Sequence, residues 1–181
     1  LTVNALPVVT LSSPDLLIVP GQFTSITASS TPAAAAGGWV WNYNGSTIAG
    51  NNTNTVSNIG IDQVGTYHAT VTDVNGCSST SADIVIGSEA SDRLWIYPNP
   101  NTGSFQVRLY YDPSSVSEKR AVYIYNAAGQ FMMGREYDLV NTTAPYLQMD
   151  FDLGKVAAGT YVVKVVHKFS GKIVSGLVVI Q

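Results

Sequence analysis

The residues that could carry acid–base, nucleophilic or metal chemistry are few and lie far apart along the chain. The 181 residues include one cysteine, Cys77, and two histidines, His68 and His167. These three fall on separate predicted strands, so no Ser-His-Asp, Cys-His or metal-ligand grouping can be recognised. A single cysteine cannot form an internal disulfide, and we expect Cys77 to be an unpaired residue at a strand edge. We therefore expect no enzymatic activity, no catalytic residue, no metal site and no cofactor.

Two acidic patterns give weaker signals. Asp150 and Asp152 share one face of a predicted strand, and glycosidases use paired carboxylates, but nothing in the sequence places this pair in a cleft. The stretch Asp73–Gly76 could be a calcium corner or an ordinary turn. We favour the turn, because Asp, Asn and Gly are the common turn residues.

The composition is that of a folded chain rich in strand and turn residues. Hydrophobic residues make up 45% of the sequence and charged residues 12%. No apolar run approaches the roughly 20 residues that a membrane-spanning helix needs. The first ten residues, LTVNALPVVT, lack the basic and long apolar regions of a signal peptide. Because the chain also lacks an initiator Met, we expect it to be a fragment of a longer protein.

Charge divides the chain into two halves. Every Lys and Arg lies at or after Arg93, and all charged residues before Arg93 are Asp or Glu. The change falls beside the polar stretch GSEASD, which is typical of a linker between modules. This predicts a first module over 1–87, with 1–7 as the tail of a preceding repeat or a linker, then a linker over 88–92 and a second module over 93–181. The basic residues are too few and too scattered to indicate nucleic-acid binding.

Both modules consist of short strand patterns separated by turn signals. In the first, TYHATVTDV and CSSTSADIVI flank an Asn-Gly pair, which is a strong hairpin signal. In the second, seven runs such as SFQVRLYY, AVYIYN and TYVVKVVHKF occupy roughly ninety residues. Strands at this density predict an all-β chain of two antiparallel β-sandwiches.

The stretch DQVGTYHA resembles the Asp-x-x-Gly-x-Tyr segment of immunoglobulin-like domains, with Asp62, Gly65 and Tyr67 at the motif positions. The resemblance implies that Tyr67 forms a tyrosine corner and that Trp41 is the core tryptophan of strand C. Ala69 stands where that family has its second cysteine, so the inter-sheet disulfide is missing. The expected fold is therefore two tandem Ig-like β-sandwiches, the first similar to tandem repeats of bacterial surface proteins.

Four aromatic residues of the first module could form a carbohydrate platform: Trp39, Trp41, Tyr43 and Tyr67. Alternate residues of a strand point to opposite faces, so at least half of these side chains should lie in the core. We accordingly favour a spacer role for this module. An adhesin that binds a glycan or a host protein is the alternative.

The second module resembles the type A C-terminal sorting domain of the type IX secretion system. Three blocks carry the resemblance in order, YPNPNTGSFQV, VYIYNAAGQ and DLGKVAAGTYVVKV, before a terminal hairpin that contains lysine. For each residue of these blocks a purely structural role, in a turn or in the core, stays open beside partner recognition. The sorting-motif residues implied by the resemblance are Pro98, Asn99, Pro100, Gly103, Gly129, Gly159, Tyr161, Lys164 and Lys172.

The resemblance implies that the second module is a sorting signal and that it does not catalyse a reaction. Such domains direct a cargo from the periplasm through the outer-membrane translocon with the help of a shuttle protein. A surface sortase commonly removes the domain and can attach the cargo to lipopolysaccharide. The chain is then expected to be secreted to, or displayed on, the surface of a Gram-negative bacterium. A protease needs an extended, unpaired segment, so the cleavage linker is expected at Gly87, Ser88, Glu89, Ala90, Ser91 and Asp92.

Overall fold

The computed structural model describes residues 4–111, 119–138 and 145–181, and it divides the chain into two compact units. Unit 1 covers residues 1–89 and unit 2 covers residues 90–181. Strands make up almost all of the regular structure in the described residues, joined by one short 3₁₀ helix. The predicted all-β fold class is thereby confirmed.

Unit 1 contains nine strands in two sheets. The smaller sheet has the order β1-β3-β6, and the larger has the order β2-β9-β7-β4-β5, with β8 paired to β7. All neighbours are antiparallel except β2 and β9, which are parallel. A 3₁₀ helix, Ile61–Gln63, precedes β7. The strands are β1 (Val8–Ser12), β2 (Leu17–Ile18), β3 (Thr24–Thr31), β4 (Ala34–Tyr43), β5 (Ser46–Thr47), β6 (Thr55–Ile59), β7 (Gly65–Asp73), β8 (Ser78–Thr80) and β9 (Ile84–Ser88).

The core of unit 1 takes up the aromatic residues that could have formed a sugar platform. Trp41 is fully buried, and its indole Nε1 donates to the carbonyl of Thr53 at 2.8 Å. Trp39 and Tyr67 are also buried. Tyr43 packs on Tyr67 with ring centroids 4.9 Å apart. These side chains therefore stabilise the sandwich through apolar burial, roughly 1.5–3 kcal/mol for each large side chain.

Tyr67 forms the tyrosine corner that the Ig-like motif predicts. Its hydroxyl donates to the carbonyl of Gln63 at 2.6 Å, which ties the start of β7 to the 3₁₀ helix. Burial, with a smaller contribution from Tyr43, raises the pKa of Tyr67 to about 12. Gly65 allows the close approach of Asn44, whose Oδ1 would lie 2.5 Å from a Cβ at position 65. Since that same oxygen accepts the amide hydrogen of Thr66, the glycine of the motif is needed for space.

Unit 2 contains seven strands in two antiparallel sheets. One has the order β10-β11-β14 and the other the order β13-β12-β15-β16. Their inward side chains meet in a single apolar core that includes Phe105, Val122, Phe151 and Val163. The strands are β10 (Trp95–Tyr97), β11 (Ser104–Arg108), β12 (Lys119–Tyr125), β13 (Phe131–Asp138), β14 (Met149–Asp152), β15 (Gly159–His167) and β16 (Ile173–Ile180).

Two arginines of unit 2 are almost completely buried. Arg120 is 1% exposed and donates to the carbonyls of Leu109 and Tyr110 at 3.0 and 2.6 Å. Arg108 is 2% exposed and is likewise held by hydrogen bonds. A buried charge is tolerated only when acceptors replace its lost hydration, so these contacts fix the backbone around β11.

Candidate functional site

The segment Pro98–Gly103, called here the proline segment, lies along the edge strand β16 and is hydrogen-bonded to it. The side-chain amide of Asn99 acts as a substitute peptide group: its Nδ2 donates to the carbonyl of Leu177 at 3.0 Å, and its Oδ1 accepts the amide hydrogen of Val179 at 2.8 Å. Asn101 continues the pairing through its backbone, because its amide donates to the carbonyl of Val179 and it forms a parallel bridge with Ile180. The start of unit 2 is thereby fastened to its last strand.

The two prolines explain why side chains take over this pairing. Pro98 and Pro100 are exposed, each follows a cis peptide bond, and neither has an amide hydrogen to give to a neighbouring strand. The Asn101 side chain closes the segment, since its Nδ2 donates to the carbonyl of Pro98 and its Oδ1 accepts from the amide of Gly103. The described contacts of Asn99 and Asn101 are therefore structural, while the proline rings face solvent.

Gly103 and Gly129 have different reasons to be glycine. Gly103 has φ +113°, and a Cβ there would lie 2.7 Å from the carbonyl oxygen of Gly154, so backbone conformation and close packing both require it. Gly129 has φ +78° with open space around it. It ends a turn in which Asn126 Oδ1 accepts from the amides of Ala128 and Gln130, so only the turn conformation requires it.

Tyr161 forms a second tyrosine corner. It is 4% exposed, and its hydroxyl donates to the carbonyl of Ala157 at 2.7 Å, the same four-residue step that links Tyr67 to Gln63. Gly159 begins β15 two residues earlier. A signal for this corner was present in the sequence, because Gly-Thr-Tyr occurs at both Gly65–Tyr67 and Gly159–Tyr161.

Lys164 and Lys172 are the charged sorting-motif residues, and both reach solvent. The Nζ of Lys164 lies 5.1 Å from the ring centroid of Tyr125, a cation–π contact on the exposed side of β15. The Nζ of Lys172 lies 3.0 Å from Asp92 Oδ1, in an ion pair whose side chains are 55% and 94% exposed. Exposed ion pairs of this kind contribute little to stability. Both lysine side chains are therefore exposed, and neither is held by a buried contact.

Lys164 belongs to an exposed apolar surface that sequence reasoning missed. This surface, called here the aromatic face, comprises the outward side chains of the four-stranded sheet. Phe131 and Leu177 are each 59% exposed, and the ring of Phe131 lies 6.4 Å from Tyr123 and 6.0 Å from Tyr125. Register places Lys164 directly opposite Tyr123. The alternation in AVYIYN was a usable signal, since every second residue of a half-buried strand faces solvent.

An ion pair borders the aromatic face. Lys168 Nζ lies 2.6 Å from Glu136 Oε1. The hydrogen bond from Lys168 and the positive charge of Lys168 lower the pKa of Glu136, and the same hydrogen bond raises the pKa of Lys168. Both side chains are therefore ionised at neutral pH, and the rim of the face is polar.

Part of the expected cleavage linker is paired within unit 1. Gly87 and Ser88 lie in β9, the amide of Gly87 donates to the carbonyl of Leu16 at 2.7 Å, and the amide of Glu89 donates to the carbonyl of Ile18 at 3.0 Å. The expectation of an unpaired segment is wrong for these three residues, because a composition of small polar residues does not exclude a strand. The stretch without strand pairing is Ala90–Leu94.

The remaining chemically reactive residues have structural surroundings. Oδ1 of the buried Asp73 accepts from the amides of Asn75 and Cys77, both at 2.8 Å, which is the turn favoured from the sequence. The Nδ1 of His68 lies 3.2 Å from Oδ1 of Asp83. Across 4–111, 119–138 and 145–181, no group of three or more His, Cys, Asp or Glu residues could hold a metal ion.

Asp150 and Asp152 lie in a groove that the sequence alone could not locate. Both line an open groove of about 390 Å³ on unit 2, together with Tyr97 and Arg135. Sequence spacing could not show this groove, because its walls come from four different strands.

Comparisons with known proteins agree with the family resemblance. Residues 95–180 match the family model described as the secretion system C-terminal sorting domain. No curated protein matches the chain. Within the described residues, no helix is long and apolar enough to cross a membrane.

Three solved structures are similar to the chain at low sequence identity. Three N-terminal domains of the bacteriophage RB49 outer capsid protein Hoc are 14% identical, with a TM-score of 0.42, over 97% of this chain and 59% of that one. Latent dimeric PorU of Porphyromonas gingivalis is 16% identical, with a TM-score of 0.41, over 98% and 20%. The fibronectin(III)-like modules of Clostridium thermocellum CbhA are 12% identical, with a TM-score of 0.35, over 96% and 94%. The chain thus spans less than two thirds of the first two structures.

The family match covers the three motif blocks and all seven strands of unit 2. Such a domain marks a protein that is secreted to the cell surface through the type IX machinery. Residues 95–180 are thereby identified as a secretion system C-terminal sorting domain.

Proposed function

We propose that unit 2 is recognised as a folded domain, through the aromatic face and the lysines beside it, by the translocon and its shuttle protein. The observation that supports this most directly is that some motif residues make contacts within the domain, whereas others lie exposed on its surface. Asn99, Gly103 and Tyr161 are engaged in internal contacts. Lys164 instead lies on a sheet face that exposes aromatic and aliphatic side chains. Exposed apolar patches rimmed by polar residues are typical of protein-binding surfaces.

Removal of the domain is the second part of the proposal. A surface sortase cuts within Ala90–Leu94 and transfers the released cargo to lipopolysaccharide. This stretch carries no strand pairing, whereas the residues just before it are hydrogen-bonded to β2. A protease must draw an extended chain into its active site, so the unpaired stretch is the accessible one.

Unit 1 is proposed to be a non-catalytic spacer. Its large aromatic side chains are used in the core, and Trp41, Trp39 and Tyr67 are all buried. The adhesin alternative was motivated by exposed aromatics in this unit, so it has lost its main support. His68 pairs with Asp83 and the amide of Cys77 is held by Asp73, and we propose that neither unit catalyses a reaction.

Surface display tests the recognition surface. The full chain is fused behind a periplasmic reporter in a host that has the type IX machinery, and surface reporter is measured with and without Lys164→Glu combined with Tyr125→Ser. We expect the parent fusion on the surface and the double variant in the periplasm. Lys155→Glu, at another exposed lysine of unit 2, is the matched control and should be displayed normally. Normal display of a folded double variant would overturn the proposed surface.

A further inference from the structure

The outer face of the three-stranded sheet of unit 2 carries a groove that lies outside the aromatic face, with the exposed Pro98 at its wall. Its volume of about 390 Å³ falls within the roughly 300–1,000 Å³ typical of small-molecule sites. Aromatic and apolar groups form part of its wall, and polar side chains of both charges form the rest. The polar and aromatic lining comprises Tyr97, Ser104, Gln106, Arg135, Asp150 and Asp152.

Strand register sets these side chains in two rows. Gln106 of the central strand lies opposite Tyr97 on one side and Asp150 on the other, and Ser104 lies opposite Asp152. Directly opposite residues of paired strands point to the same face. With neighbouring strands about 4.8 Å apart, the row of three spans about 10 Å. An aromatic ring therefore faces two carboxylates across a floor of amide and hydroxyl groups.

A buried arginine holds this arrangement in place. Arg108 is 2% exposed, and it donates from Nε to Gln106 Oε1 at 2.8 Å and from its terminal nitrogen to Gln148 Oε1 at 2.9 Å. Its guanidinium carbon lies 6.0 Å from the ring centroid of Tyr97. Gln148 Nε2 in turn donates to both carboxylate oxygens of Asp150 at 2.8 and 2.9 Å. Side chains fixed before binding lose less conformational entropy when a ligand arrives.

The network leaves polar atoms available on both sides of the groove. Asp152 Oδ1 accepts the amide hydrogen of Gly154 at 2.8 Å, while its Oδ2 has no hydrogen-bond partner among the described residues. The same holds for Nε2 of Gln106, whose oxygen is taken by Arg108. Arg135 donates to the carbonyl of Asp150 and hydrogen-bonds the hydroxyl of Tyr137, which uses part of the five N–H groups that a guanidinium carries. Acceptors and donors are thus both present within the groove.

We infer that this groove binds a neutral saccharide of one or two rings. Sugar hydroxyls donate and accept hydrogen bonds together, as the combination of Asp152, Gln106 and Arg135 requires. The apolar face of a pyranose ring packs on an aromatic side chain such as Tyr97. The two carboxylates are balanced by the guanidinium groups of Arg135 at the wall and Arg108 beneath Gln106, so the groove has no excess charge that would attract a phosphorylated sugar or a uronic acid.

Saturation-transfer NMR on the full chain tests the inference. The probes are glucose, galactose, mannose, N-acetylglucosamine and their β1,4-linked dimers, each titrated at millimolar concentration. We expect transfer to the ring protons of at least one probe. Tyr97→Ala should weaken its Kd about tenfold, the effect of losing one aromatic contact. Asp152→Asn, which retains the oxygen that accepts from Gly154, should also weaken it.

Phe169→Ala removes an aromatic side chain that is 94% exposed and does not line the groove; it is the matched control, so its Kd should equal that of the parent chain. Melting temperatures of all variants identify any loss of folding, and Asp152→Asn serves as the decisive variant if Tyr97→Ala unfolds. The inference is overturned if no probe receives saturation, if Asp152→Asn binds like the parent, or if extended peptides bind the groove while saccharides do not.

Discussion

Tyr67 and Tyr161 each fasten the start of a central strand to the turn before it. The two hydroxyls donate to carbonyls four residues earlier, at 2.6 and 2.7 Å. Replacing a buried hydroxyl leaves its carbonyl partner unsatisfied, which costs about 1–3 kcal/mol. Tyr161→Phe should therefore lower the free energy of unfolding of unit 2 by that amount, measured by urea denaturation of the full chain. Tyr125→Phe, at a half-buried ring on the outer face of β12, should leave it unchanged, and equal effects of the two substitutions would contradict the corner.

The raised pKa of Tyr67 predicts a dependence of unit 1 stability on alkaline pH. Because its pKa is about 12 in the folded chain against an ordinary value near 10, the folded state binds more protons than the unfolded state between these values. Stability from this group is complete below pH 10 and is lost as the pH rises toward 12. In urea unfolding from pH 9 to 12, Tyr67→Phe should show a shallower decline than the parent chain. Identical slopes would exclude Tyr67 as the group responsible.

Substitutions at Gly103 and Gly129 can separate two reasons for a glycine, a positive φ and a lack of space for a Cβ. Gly103→Ala meets both a positive φ and a carbonyl oxygen 2.7 Å from the new Cβ, whereas Gly129→Ala meets only the positive φ. A non-glycine residue in such a conformation costs about 1–2 kcal/mol. We expect Gly129→Ala to cost about that much and Gly103→Ala to cost clearly more, by calorimetry of the full chain. Equal losses would show that the contact with Gly154 relaxes freely.

At the scale of elements, Asn99 substitutes for a strand on the edge of β16. Asn99→Ala removes two hydrogen bonds, each worth about 0.5–1.5 kcal/mol, and frees the amide of Val179. Hydrogen exchange at that amide should accelerate. Asn126→Ala disturbs only the turn between β12 and β13, so it should leave Val179 protected. If exchange at the Val179 amide is unchanged in Asn99→Ala, the backbone pairing of Asn101 alone protects the edge of β16.

The elements also show how far the sequence could predict this molecule. Alternation and turn residues identify the strands, and the motif at Asp62–Tyr67 identifies a corner, because both are local patterns. The pairing of Asn99 with Val179 joins residues 80 positions apart, and no local pattern specifies it. Arg108 shows the same limit. Its charge suggests an exposed residue, yet acceptors from Gln106, Tyr146 and Gln148 keep it buried.

For the whole molecule, the change of charge at Arg93 and the separation into two units fall close together, but composition could not show which linker residues are paired. Gly87 and Glu89 donate their amides to the carbonyls of Leu16 and Ile18, whereas Ala90–Leu94 has no strand pairing. Brief digestion of the full chain with proteinase K, read by mass spectrometry, should therefore place the first cut of the linker after Glu89. Asp92→Asn removes the ion pair with Lys172, an exposed contact of little energy, so it should not move the cut. A first cut within Gly87–Glu89 would show that the β2–β9 pairing opens readily, and the stretch proposed for sortase cleavage would then extend from Gly87 to Leu94.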